Sequence, residues 1–154
     1  MNNVALADTR IAPMAPEAIQ LVRDLEALTE QLPQVDIETD HVLHAGMYAR
    51  TIRIPAGVVL TGALIEVDTV LIVQGDTDVF IGGDTVRLTG YHVLQASKGR
   101  KQAFYAHADT YVTMVFPSRA STVEQAENEF TNEADRLLSR RQHDTQGEEL
   151  CQEQ

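Results

Sequence analysis

The sequence predicts a mainly β chain, an antiparallel sandwich or barrel with one α-helix before it and one after it. Three observations predict this. The central stretch is a series of short β-branched runs separated by glycine turns. Its hydrophobic residues alternate with a period of about two, whereas in both flanks the period is about 3.6. The charge follows the same division. Residues 1–40 hold eight acids and two bases, residues 41–120 six and seven, and residues 121–154 nine and three, so sums of -6, +1 and -6 make up the net -11 of the 154 residues.

In the first flank, Ala18, Val22, Leu25, Leu28 and Leu32 are spaced four, three, three and four apart, which puts them on one helical stripe. The helix is read from about Pro16, where a missing N–H costs nothing, to Leu32, where Pro33 stops it. Strands are read at Tyr48–Ile54, Val58–Thr61, Ala63–Val67, Val70–Val73, Asp78–Ile81, Thr85–Leu88, His92–Leu94, Gln102–Ala106 and Thr110–Phe116. Their separators are Pro55-Ala56-Gly57, Gly75-Asp76, Gly82-Gly83-Asp84, Gly90 and Lys98-Gly99. No helical run divides them, which argues against a βαβ sheet. In the last flank, Ser121 to Glu124 has the spacing of a capping box, and Val123, Ala126, Phe130, Ala134 and Leu137 or Leu138 continue one face to about Arg140. Four regions result: an N-terminal arm and amphipathic helix (1–40), a β-barrel (41–120), a C-terminal helix (121–140), and an acidic tail (141–154) whose lack of periodicity predicts disorder.

Composition removes several function classes. No apolar run approaches the roughly 18 residues of a membrane span. The opening MNNVALADTR has neither a basic start nor an apolar core, so no secretory leader is expected. The single cysteine, Cys151, fits a reducing cytoplasm and has no neighbouring base to make it a nucleophile. A field of net negative sign disfavours nucleic acid. GxSxG, GxxxxGK[ST] and GxGxxG are all absent from the sequence.

The remaining polar features each have a structural reading. Lys98 to Lys101 reads as a solvated turn, with local anion binding as its alternative. Glu66 and Asp68 share a strand face that is either solvated or an acid and base pair. Arg50, beside Tyr48, either serves solubility or contacts a ligand or partner. Thr39, Asp40 and His41 read as a polar connector, His92 as an ordinary strand residue, and His107 with Asp109 as a turn.

The stretch Ile54-Pro-Ala-Gly57-Val-Val-Leu-Thr-Gly62, then Gly75, then Leu88-Thr-Gly90-Tyr-His-Val-Leu and a basic turn before Gln102-Ala-Phe resembles the cupin superfamily. It is similar in particular to small cupin-like proteins of phages and prophages. The resemblance spans about Ala45 to Pro117 and implies a conical jelly-roll barrel. In that family two histidines and a glutamate of a first motif, with a histidine of a second, turn inward to bind a divalent metal. With Gly57 and Gly75 as the motif glycines, the histidine positions fall on Ala63 and Ile65 and the acid position on Asp68; counting from Gly90, the last ligand falls near Lys101 or Gln102. Metal sites generally need three protein donors, and Asp68 with Gln102 supplies at most two.

The expectation is therefore a non-catalytic, metal-free, cupin-like binding or assembly protein with no cofactor. Ligand-binding candidates are Asp68, Arg100, Gln102 and Tyr105. Val22, Leu25, Leu28, Phe130 and Leu137 are the candidate oligomer or partner contacts. The expected partners are a second copy of the chain, another phage or host protein, or a small ligand, in the host cytoplasm or as a minor virion part. Two alternatives stand beside it: a metal-dependent cupin enzyme with a displaced set of His44, His92 and His107, and a small-molecule sequestering protein with a hollow barrel.

Overall fold

The computed structural model describes residues 10–137 and 140. The tail over 141–154, with Cys151, lies outside the described residues, as do residues 1–9. The elements run β1 (Arg10–Ile11), α1 (Pro16–Thr29), β2 (Thr39–His44), β3 (Met47–Ile54), β4 (Val59–Thr61), β5 (Thr69–Phe80), β6 (Thr85–Ala96), β7 (Ala103–Ala106), β8 (Thr110–Pro117) and α2 (Val123–Phe130), then a 3-10 turn at Ala134–Arg136.

The fold turns on β5. It pairs antiparallel with β6 along its whole length, from Thr69 opposite Ala96 to Phe80 opposite Thr85. On its other side, Val70 to Gln74 pair with β8, whereas Thr77 to Phe80 pair with β7. Beyond β8 the order continues to β3 and β2, and beyond β7 to β4. One long hairpin thus serves two sheets that curl over a common interior, the geometry of a roll.

Gly75 stands where β5 changes partners. Its φ is +147, and a Cβ there would lie 2.5 Å from Thr110 Oγ1 and 2.8 Å from Asp109 O. Gly75-Asp76 and Gly90 were read as turns. Both glycines instead sit inside continuous strands, opposite each other in register. What they supply is a bend, and the true hairpin turn is at Gly82-Gly83-Asp84, where Ile81 N–H donates to Asp84 O at 3.0 Å.

Other boundaries also move. Thr39, Asp40 and His41 are no connector: they begin β2, which pairs with β3 from Thr39–Ile52 to His44–Met47. The connecting turn places Ala45 at φ +53 and Gly46 at φ +71, as a two-residue hairpin requires. Ala63–Val67 forms no strand; its one ladder contact is the bridge of Ile65 with Arg100. Helix α1 ends at Thr29 rather than Leu32, because the residue before Pro33 is pushed out of helical space and Gln34 Nε2 caps the Thr29 and Leu32 carbonyls at 3.0 and 2.8 Å. Helix α2 is capped by Thr122, whose Oγ1 accepts from Gln125 N–H at 3.2 Å, so the capping pair sits one residue later than Ser121 with Glu124. It stops at Phe130 instead of Arg140 because the Phe130 carbonyl accepts from Glu66 N–H at 2.8 Å and Thr131 is extended.

The two helices bury their stripes against their own barrel. Val22 packs with Met14, Ala18 and Ala103, and Leu25 covers that group. Phe130 enters the main core, stacking on Tyr48 at 6.4 Å and meeting Phe116 edge-on at 6.1 Å. Leu137 packs on the same core. Of the five residues read as oligomer contacts, only Leu28 is left exposed.

Candidate functional site

The barrel is hollow. A cavity of about 430 Å³ opens between the two sheets. Because successive strand residues face opposite sides, β3 contributes Arg50 and Ile52 to its wall and β8 contributes Val112 and Met114. Leu60, Leu71 and Phe104 complete the apolar lining.

One end is formed by two backbone segments held side by side. Gly62 N–H donates to Gln102 O at 2.8 Å, Ile65 N–H to Arg100 O at 2.8 Å, and Gly99 N–H to Ile65 O at 2.7 Å. A Cβ at Gly62 would stand 3.4 Å from Gln102 O, an ordinary contact. This pairing brings Ala63, Ile65 and Gln102 to the cavity wall together with Arg100. Asp68 does not join them; it is exposed, and its Oδ1 accepts from Lys98 N–H at 2.9 Å. Tyr105 is also elsewhere, on the outside of β7, against the ring of His107 at 4.9 Å.

Lys98 to Lys101 is not a solvated turn. Arg100 is 1% exposed and Lys101 0%. Arg100 donates Nη1 to Ala96 O at 3.2 Å and Ser97 O at 2.8 Å, Nη2 to Thr69 Oγ1 at 2.8 Å, and Nε to Gln102 Oε1 at 3.3 Å. All four acceptors are neutral. Burial therefore pushes its guanidinium down to about 10, with Asp68 opposing from a distance. Lys101 Nζ sits 2.9 Å from Glu26 Oε2 and 3.3 Å from Glu133 Oε2, joining α1, the barrel and the C-terminal turn. Glu26 and Glu133 line the cavity with Thr29, Pro33 and Arg136, so this triad joins segments of its wall. Arg50, with only a tenth of its side chain exposed, pairs with Glu127 at 2.7 Å and lies over the Phe130 ring, an internal role rather than a solubilising one.

The four histidines among the described residues each have separate surroundings. His41 Nδ1 bonds the Tyr48 hydroxyl at 2.7 Å, and burial, with Arg50 nearby, lowers its affinity for a proton. His44 is exposed at the β2 turn. His92 Nε2 meets Thr89 O at 2.9 Å, and His107 Nε2 meets Asp78 Oδ2 at 3.0 Å. Among the described residues no three His, Cys, Asp or Glu side chains are close enough to share a metal ion. The two oxygen donors at the family positions are committed, Asp68 to Lys98 and Gln102 to Arg100. The residues present do not fit the divalent metal that a cupin resemblance implies.

The deciding observation for the fold is the pairing of the Gly62–Ile65 segment with Arg100–Gln102 inside a roll built on one shared hairpin. The fold is a cupin-like barrel. No family model and no curated protein matches the chain. Among solved structures, the cupin-like barrel is similar to KdgF from Halomonas sp., with 22% identity and a TM-score of 0.46 over 57% of this chain and 87% of that one. It is similar to a cupin-2 domain protein from Shewanella frigidimarina, with 12% identity and a TM-score of 0.44 over 64% and 98%. It is also similar to salicylate 1,2-dioxygenase from Pseudaminobacter salicylatoxidans, with 15% identity and a TM-score of 0.47 over 64% of this chain and 31% of that one.

What sequence reasoning missed in this cupin-like barrel is the burial of Arg100 and Lys101. The partners of Lys101 lie 75 and 32 residues away, and no local pattern announces them. No helix among the described residues is long and apolar enough to cross a membrane.

Proposed function

We propose that this chain is a metal-independent binding barrel that takes a small, largely apolar ligand into its interior. One observation carries the reading: a cavity of about 430 Å³ with mostly hydrocarbon walls, at the place where the family's metal positions hold Ala63, Ile65 and Gln102. A space of this size matches ordinary ligand pockets of about 300–1,000 Å³. Small barrels without a ligand role usually fill that space with side chains.

The test separates this from a metal enzyme. Protein purified without chelators is expected to retain far less than one equivalent of Fe, Mn, Ni or Zn by elemental analysis. Added metal is expected to leave the melting temperature unchanged, because nothing binds that favours the native state. A hydrophobic fluorescent probe is expected to bind at one per chain. Retention of a full equivalent of metal, or failure of any apolar probe to bind, removes the proposal.

A second copy of the chain is the proposed assembly partner, and a specific surface favours it. The outer face of the larger sheet presents Tyr91 and Val93 from β6, Val70 from β5 and Tyr111 from β8, all at least 44% exposed. Thr51 and Thr113 continue it, hydrogen-bonded to each other at 2.8 Å. Two chains of net charge -11 repel through most of their surfaces, and this face, apolar at its centre, is where they can meet. Light scattering after size exclusion is expected to give twice 17.0 kDa, and Val93→Lys to return the mass to 17.0 kDa. A wild-type mass of one chain overturns the pairing. The proposed setting, from the phage-like opening of the barrel segment, is the infected bacterial cytoplasm or a minor virion part.

A further inference from the structure

Two donors at the cavity wall lack a full complement of acceptors. Gln102 is 5% exposed, and its Nε2 has no hydrogen-bond partner. Its orientation is fixed by chemistry, since Arg100 Nε can only donate and takes the oxygen, Oε1. The free atom is therefore the NH₂. Arg100 has five N–H groups and its four hydrogen bonds leave one on Nη2.

The charge is the stronger point. Among the described residues no carboxylate lies within ion-pair distance of Arg100, although buried arginines are ordinarily paired. Carbonyl and hydroxyl acceptors satisfy its hydrogen bonds but carry no charge, and Asp68 offsets the guanidinium only from a distance. The acids lining the cavity are already engaged: Glu26 with Lys101 and Arg136, Glu30 with Arg136, and Glu133 with Arg23 and Lys101. Arg50, the other cation on the inner wall, is matched by Glu127.

We propose that the ligand of this barrel is an organic acid. Its carboxylate is received by Gln102 Nε2 and Arg100 Nη2, and its hydrocarbon body lies against Ile52, Leu60, Phe104 and Met114. This rests on the binding reading above and adds the ligand's charge and its orientation. An alcohol of the same shape gains the apolar contact but leaves the guanidinium unbalanced. An amine adds a second cation beside the first.

The experiment is isothermal titration calorimetry of the full chain with phenylbutyrate, phenylbutanol and phenylbutylamine, which share one body and differ in the end group. Phenylbutyrate is expected to bind at least about tenfold more tightly than the alcohol, with the amine weakest, as charge-assisted hydrogen bonds imply. Arg100→Gln is expected to abolish this preference and leave alcohol binding in place. Because Arg100 also ties the Ala96–Gln102 segment, that variant can fail to fold; Gln102→Leu keeps the tether and is expected to lose several-fold in phenylbutyrate affinity alone. Equal affinity for acid and alcohol, or a Gln102→Leu chain that binds both as the wild type does, overturns the carboxylate site while leaving a binding barrel. No uptake of any of the three overturns both.

Discussion

Gly75→Ala is expected to destabilise the chain by about 3 kcal/mol or more, the sum of backbone strain and overpacking at a site that cannot relax. The added carbon meets Thr110 Oγ1 at 2.5 Å, and two of its three close neighbours, Asp109 O and Thr110 Cα at 2.8 Å, are backbone. Backbone cannot swing aside as a side chain can. The crowding atoms belong to the start of β8 and the turn before it, next to the point where β5 changes partners from β8 to β7, so relief there requires β8 to move against β5. In a domain of this size the loss corresponds to roughly 10 °C in melting temperature. Gly90→Ala is the control: its φ is +88 but a Cβ meets nothing within 4 Å, so only the conformational cost of about 1–2 kcal/mol applies. Thermal and urea melts of both variants check the contrast, and equal losses would show that the close approach to Thr110 is not what fixes the bend.

Lys101→Met is expected to cost about 3 kcal/mol, because it leaves Glu26 and Glu133 facing one another without their shared cation. The effect depends on pH with a definite sign. Burial raises the Glu133 pKa, but the Arg23 hydrogen bond, the Leu64 N–H and Lys101 together outweigh it, so the native value lies below 4.5. A carboxylate with a depressed native pKa contributes stability that is present above its unfolded value and is lost as pH falls through the native one. Wild type is thus expected to lose stability from this group on acidification below about 4.5, and Glu133→Gln to flatten that part of the curve. Urea midpoints between neutral pH and pH 3 measure it. A Glu133→Gln chain that follows the wild-type acid curve removes Glu133 from the account.

Much of this was visible in the chain before folding. The stripe through Ala18, Val22 and Leu25 has helical spacing whatever it packs on, and Val112, Met114 and Phe116 alternate because one face of their strand is buried. The positions Ala63 and Ile65 came from counting between Gly57 and Gly75 on the cupin resemblance, and Lys101 or Gln102 from counting after Gly90; Ala63, Ile65 and Gln102 all stand on the cavity wall. Asp68, placed by the same counting, and Tyr105 do not join them. Residues 63–67 do not hold a regular strand, so inward and outward alternation fails there, and Tyr105 stands on the outer face of β7. Gly75 and Gly90 misled for a different reason. Glycine marks any place where a side chain is not tolerated, and a bend inside a strand leaves the same trace as a turn between two. The burial of Lys101 was invisible because its neutralising partners come from two other regions of the chain.

That last arrangement ties the leading helix to the segment that follows α2. Glu26 belongs to the leading helix and Glu133 to the trailing turn, and both grip one ammonium rooted in the barrel. Neither segment can lift away without weakening the hold on the other, so substituting Glu26 is expected to speed amide exchange around Glu133, and substituting Glu133 to speed it around Glu26.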